Sequence, residues 1–414
     1  MLYLGVAHVS LALAFAAIAV DPRGVSGFFY HPRMLGIVHL ITLGWITSSL
    51  LGIVTMLGAL VLRVRLPATW VDYAAFALVV IGFSGMVSHF WLEEYSGMAW
   101  SASTVGAGIV VAGVNLVRGF LRGGAPHVVT MHVALAFVNV AGAAAAGVLL
   151  GFDKLEPFLP GVAMSNVFAH AHLAAIGWAS MMVVGVAFAL APRVLGAPLA
   201  SGWRVATGAA LLQAGVWGLF GTLLFRSRLM LVFAVLIVAG FGAFLWHIGG
   251  MVDAGLPRRG RVWSPAFVHA VAACAWLAIA SALGVWLTVA MPSASTLRGV
   301  MAYGVFGLVG FLSQMVIAIE VILLPLVASS WSLASQGNEE PASTRGEMRG
   351  SVGTSLVCAL WLVGVPALAW GLAFDAVPLV SGAAWSLLAA TLLRVAIAAR
   401  ILHHASGVPA TVRL

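Results

Sequence analysis

Along the chain, polar positions are too sparse to mark either a two-residue or a 3.6-residue period, and the dominant pattern is a succession of long apolar runs. Twelve runs are long enough to span a bilayer, near residues 1–20, 34–62, 70–92, 100–121, 126–151, 166–191, 203–225, 229–249, 264–290, 299–327, 351–374 and 379–402. In lipid such a run must be helical, because only a helix satisfies its own backbone groups there. The breaks carry turn residues: Asp21-Pro22, Pro67, the Gly123-Gly124 pair before Pro126, Pro157 and Pro160, Pro257, and the polar stretch from Ser335 to Arg349. None has room for a soluble domain. The expected fold is therefore all-α, a polytopic membrane protein of about 12 transmembrane helices forming a single domain over residues 1–414.

Composition agrees with this reading. The 414 residues are 62% hydrophobic and 8% charged, with a mean hydropathy of +1.09, which makes the bilayer the solvent. The formal charge of +8 would suggest a nucleic-acid partner in a soluble chain. Here the basic residues fall between apolar runs, so membrane lipid is the expected partner and nucleic acid is not. Of the 20 Lys and Arg residues, 14, among them Arg63, Arg193, Arg261, Arg345, Arg349, Arg394 and Arg413, fall on the side of the termini, against Arg23, Arg33, Lys154, Arg226, Arg228 and Arg298 opposite. The positive-inside rule then makes both termini cytoplasmic, in the plasma membrane of a bacterium or archaeon. No basic segment precedes the first run, which is expected to be a retained helix. Cys274 and Cys358 lie inside apolar runs and have no partner at a metal-ligand spacing, so they read as small hydrophobes.

An internal repeat is visible at an offset of 133 residues. HLITLGWITSSLLG from His39 matches HLAAIGWASMMVVG from His172 without gaps, and the same step carries Gly177 to Gly310 and Pro192 to Pro325. VAHVSLAL, TMHVALAF and FVHAVAAC, around His8, His132 and His269, also resemble one another. Three four-helix repeats are expected, over about 1–125, 126–262 and 263–414.

The repeats place histidines inside the bilayer, where an imidazole needs partners for both nitrogens and faces the bundle interior. His39, His89, His170 and His172 fall in the half of their helices away from the termini, with His31 just outside. His170 and His172 are two residues apart, so about 200° of helical rotation separates them: they do not suit one ion together but can give one ligand to each of two centres. Two helices offering one histidine each can clamp a low-spin haem. The equivalent depths of His39 and His172 make them the expected pair, with His170 and His89 as further cofactor-binding candidates. His8, His132 and His269 lie nearer the termini and are candidates for a metal site together with Glu320, the one carboxylate well inside a helix. Alone, each histidine equally suits a hydrogen-bonded packing role, and Glu320 a hydrogen bond to a neighbouring helix.

Twelve helices in three arcs, an early histidine in the second helix, and HxH followed by Gly-Trp in the sixth resemble the catalytic subunit, subunit I, of haem-copper oxidases and nitric oxide reductases. The resemblance covers the whole chain as architecture and about fifty residues as motif. It implies haem b, a second haem and a nearby copper or non-haem iron, and oxidoreductase chemistry in a respiratory chain on nitric oxide or oxygen. It makes His39 the low-spin ligand and His170 or His172 the metal ligand. The chain departs from the family in the tenth helix, which has Val305 at the position equivalent to His172 and no histidine, and in the seventh, which reads GLFGTLL where the family has a histidine pair. With no soluble redox domain in the sequence, electron transfer requires an external cytochrome, cupredoxin or quinol as donor. Two other readings stay open on the residues alone: a transporter or metal-handling protein with histidines at repeat interfaces, and a cofactor-free scaffold subunit of a respiratory complex.

Overall fold

The computed structural model describes residues 1–66, 70–199, 201–259, 264–336 and 352–405. Arg261, Arg345, Arg349 and Arg413 of the orientation count, the boundary at 262–263 and most of the polar stretch after Ser335 lie outside these residues. The described chain is all-helical, with twelve helices long and apolar enough to cross a membrane. They are α1 (Leu2–Val20), α2 (Pro32–Val61), α3 (Trp70–Leu92), α4 (Tyr95–Arg122), α5 (His127–Asp153), α6 (Ala163–Leu195), α7 (Trp203–Leu224), α8 (Met230–Gly255), α9 (Pro265–Val289), α10 (Ala294–Trp331), α11 (Val352–Ala373) and α12 (Val377–Ala405). Each expected span is present. The ends run longer where local chemistry extends them: Glu94 caps α4 by accepting from the backbone N–H of Ser96 and Gly97, and His31 caps α2 through Nδ1 from Met34 N–H.

α2, α6 and α10 form the centre. Their most apolar stretches are 78, 78 and 83% buried, and no other span exceeds 56%. Around them α3 pairs with α4, α7 with α8 and α11 with α12, while α1 lies on α2, α5 on α6 and α9 on α10. Contacts of α4 with α5, α8 with α9 and α12 with α1 close the ring.

Each central helix changes pitch at an equivalent place, and α2 does so again at Leu57–Val61. Leu40–Thr47, Leu173–Ser180 and Phe306–Ser313 are π-helical, and the three segments meet one another at the centre. A π segment bonds i to i+5 and leaves backbone carbonyls to be satisfied by other groups. Here side chains supply the donors. Ser48, Ser180 and Ser313 hydroxyls donate to Leu43, Ala175 and Leu308 carbonyls, Asn139 Nδ2 donates to Gly177 O at 2.8 Å, and Trp361 Nε1 donates to Val309 O at 3.2 Å.

The glycines of these segments set how closely helices approach. A Cβ on Gly44 would lie 2.5 Å from Ser10 Cβ of α1, and one on Gly177 2.9 Å from Asn139 Cβ of α5. Neither position tolerates a side chain without separating its helix pair.

Candidate functional site

The π segments bound one wall of a cavity of about 450 Å³, within the range of sites that enclose small-molecule and cofactor ligands. It lies in the half of the bundle away from the termini and is walled mainly by Leu, Ile, Val, Ala, Phe and Met. His39, His170 and His172 all line it. Lys154 also lines it, with Nζ 4.6 Å from the ring centroid of Tyr30 and 5.1 Å from that of Tyr95.

Each of the three histidines is oriented by one nitrogen. His39 Nδ1 bonds Leu35 O at 2.7 Å and His172 Nδ1 bonds Phe168 O at 2.7 Å, both one turn back in their own helices. His170 Nδ1 instead reaches across to Ala143 O of α5 at 2.8 Å. A carbonyl only accepts, so Nδ1 carries the hydrogen in all three and Nε2 is left with its lone pair. Among the described residues, Nε2 of none of them has a hydrogen-bond partner. Metal-ligating histidines are held this way, a backbone carbonyl fixing the tautomer and the ring plane, although His8, His89 and His132 make the same bond outside the cavity.

The rings point to different sides. His39 is stacked on Phe90 of α3, centroids 5.2 Å apart. His172 is stacked on Tyr303 of α10 at 5.7 Å. The helical rotation between His170 and His172 thus sends one towards α5 and the other towards α10. The rings of His39 and His172, the pair expected from equal depth, therefore lie against different helices, α3 and α10. Tyr303 was not singled out from the sequence, although it stands 133 residues after His170.

The remaining candidates lie elsewhere. His89 does not line the cavity; Nδ1 bonds Gly85 O at 2.6 Å and Nε2 lies 3.5 Å from Glu94 Oε2 at the membrane edge. His132 bonds Val128 O at 2.7 Å and borders a void of about 10 Å³ beside Phe188 and His247, room for about one water. His269 Nδ1 is 3.2 Å from Gln314 Nε2, whose own amide oxygen accepts from Trp276 Nε1 at 2.9 Å. Glu320, expected beside His269, has His8 as its nearer partner, with Nε2 3.3 Å from Oε2, and Arg394 Nη2 at 3.8 Å. Arg394, counted on the side of the termini, is 3% exposed inside α12. The four candidate metal residues therefore do not converge. Among the described residues no group of three or more His, Cys, Asp or Glu is placed to hold a metal ion, so a copper or non-haem iron held by protein ligands alone does not fit these positions.

Haem fits better, because it brings four ligands of its own and asks the protein for only one or two imidazoles. No protein-family model matches the chain, and no curated protein matches it.

Proposed function

We propose that the chain is a haem-binding integral membrane protein, a divergent relative of haem-copper oxidase and nitric oxide reductase catalytic subunits, with both termini cytoplasmic and a role in electron transfer or in nitric oxide or oxygen chemistry. The observation that carries this reading is that three imidazoles line one largely apolar cavity, each with Nδ1 held by a carbonyl and Nε2 without a hydrogen-bond partner among the described residues.

His39 and His170 are the residues that would hold a haem b by its iron, since both line the cavity from different helices while His172 is turned to Tyr303. His172, on the opposite face of α6, would serve a second bound group beside Tyr303. When bound, haem supplies a one-electron couple whose potential follows its axial ligands and surroundings. The protein's own contribution is positional. Leu35 O and Ala143 O hold the two rings, Phe90 sets the plane of His39, and the aliphatic wall keeps water out. Lys154 puts a positive charge at the cavity end away from the termini, suited to the carboxylates of a cofactor.

Triplication is supported by the three eight-residue π segments, which begin 133 residues apart at Leu40, Leu173 and Phe306, the offset at which the sequence aligns with itself. Identical pitch changes at identical spacing are expected of copied units.

The test is spectroscopic. Protein purified in detergent should carry stoichiometric iron and, on dithionite reduction, the sharp bands of a bis-histidine haem. His39→Ala and His170→Ala should each lose that signal. Colourless protein with no iron would overturn the reading and favour a transporter or scaffold.

A further inference from the structure

His8, Glu320 and Arg394 come from α1, α10 and α12 and meet inside the bundle, in the half nearer the termini, at 9, 0 and 3% exposure. Ionisable groups at such depth are costly in a membrane protein and lie where ions or protons are handled. The tautomer of His8 is set by its backbone. Nδ1 lies 2.9 Å from Leu4 O, a group that only accepts, so Nδ1 carries a hydrogen. In a neutral ring Nε2 is then an acceptor.

That acceptor faces Glu320 Oε2 at 3.3 Å, and an ionised carboxylate offers only acceptors too. Neither Nε2 nor either Glu320 oxygen has a hydrogen-bond partner among the described residues. Without a further hydrogen, two lone pairs would be held against each other in a medium that does not screen them. A proton resolves the contact in either of two forms: an imidazolium donating to a carboxylate, or a carboxylic acid donating to a neutral imidazole. Arg394 Nη2, 3.8 Å from the same oxygen, is too far to hydrogen-bond it and acts as a counter-charge.

We propose that His8 and Glu320 form an intramembrane site for an exchangeable proton, with Arg394 as its positioning counter-charge. The proton moves between His8 Nε2 and Glu320 Oε2, and neither transfer breaks any other bond. Among the described residues, His269 of α9 is a further titratable group near the site, linked to α10 through Gln314. Residues 48–61 of α2 and 181–192 of α6, which also pack on α10, contain no titratable side chain, and α2 turns the ring of Trp45 to His8 at 5.1 Å. The site stands whether or not the cavity holds a haem.

Infrared difference spectra of the full-length protein in lipid nanodiscs, taken across about pH 5 to about pH 9, test it. A carboxylic-acid carbonyl band should titrate, shift in deuterium oxide, and vanish in Glu320→Gln. His8→Gln should move its midpoint, and this holds as a test even if Glu320→Gln fails to fold. Absence of any titrating carboxyl band that depends on Glu320, or a midpoint unchanged in His8→Gln, would overturn the proposal.

Discussion

His170 donates its Nδ1 hydrogen to Ala143 O, linking α6 to α5 at 2.8 Å. His172, two residues on, bonds Phe168 O in its own helix. The ring of His170 therefore depends on the surface of α5 as much as on α6. A Cβ on Gly147 of α5 would lie 2.9 Å from His170 Cε1, so Gly147→Leu is expected to displace the ring and lower haem content to the level of His170→Ala. Haem quantified against protein, with helix content checked by circular dichroism, measures this; full haem retention in both variants would remove His170 from the ligand set.

Asn139 of α5 joins three helices. It donates to Gly177 O and Gln213 Oε1 and accepts from Gln213 Nε2 and Trp217 Nε1, all at 2.8–2.9 Å. Asn139→Ala strands these partners in a buried setting and is expected to destabilise the protein by about 1–3 kcal/mol. Thermal unfolding in detergent should show a lower midpoint for Asn139→Ala than for wild type, and an unchanged midpoint would contradict the network's role.

Gly44 tests close helix approach. Its missing Cβ is what lets Ser10 of α1 sit against α2. Gly44→Val is expected to cost about 1–3 kcal/mol by overpacking, whereas the same change at Gly5, which has open space around it, should leave the unfolding midpoint near wild type.

His31 lies outside the spans and gives a pH dependence. Burial, and then the nearby charge of Arg33, lower its pKa below the ordinary value of 6.5. Its neutral Nδ1 accepts from Met34 N–H at the start of α2. A lowered folded pKa means that the unfolded chain binds the proton more readily. The contribution is present above about pH 6.5 and lost as pH falls through the lower folded value. Hydrogen exchange at the first turn of α2 should therefore accelerate on acidification, and His31→Asn, which keeps a capping oxygen, should abolish that acceleration.

The number, order and approximate limits of the spans were legible because membrane helices follow from local apolar length. The π segments were not, since the pattern around Gly44-Trp45 is compatible with a continuous α-helix; only the matching offset marked the place. The burial of Arg394 was not legible, because a basic residue in the latter part of an apolar run reads like an interfacial one. Nothing local to it reports Glu320 on another helix.

The sequence by itself determined an all-helical membrane protein, the 133-residue spacing of its central helices, and the depth at which His39, His170 and His172 lie. Tertiary structure decided what each imidazole faces: Phe90 for His39, Tyr303 for His172, Glu320 for His8, and Gln314 for His269. Depth follows from position along one helix. A ring's partner follows from how that helix is rotated against its neighbours, which close packing sets between residues as far apart in the chain as His8 and Glu320.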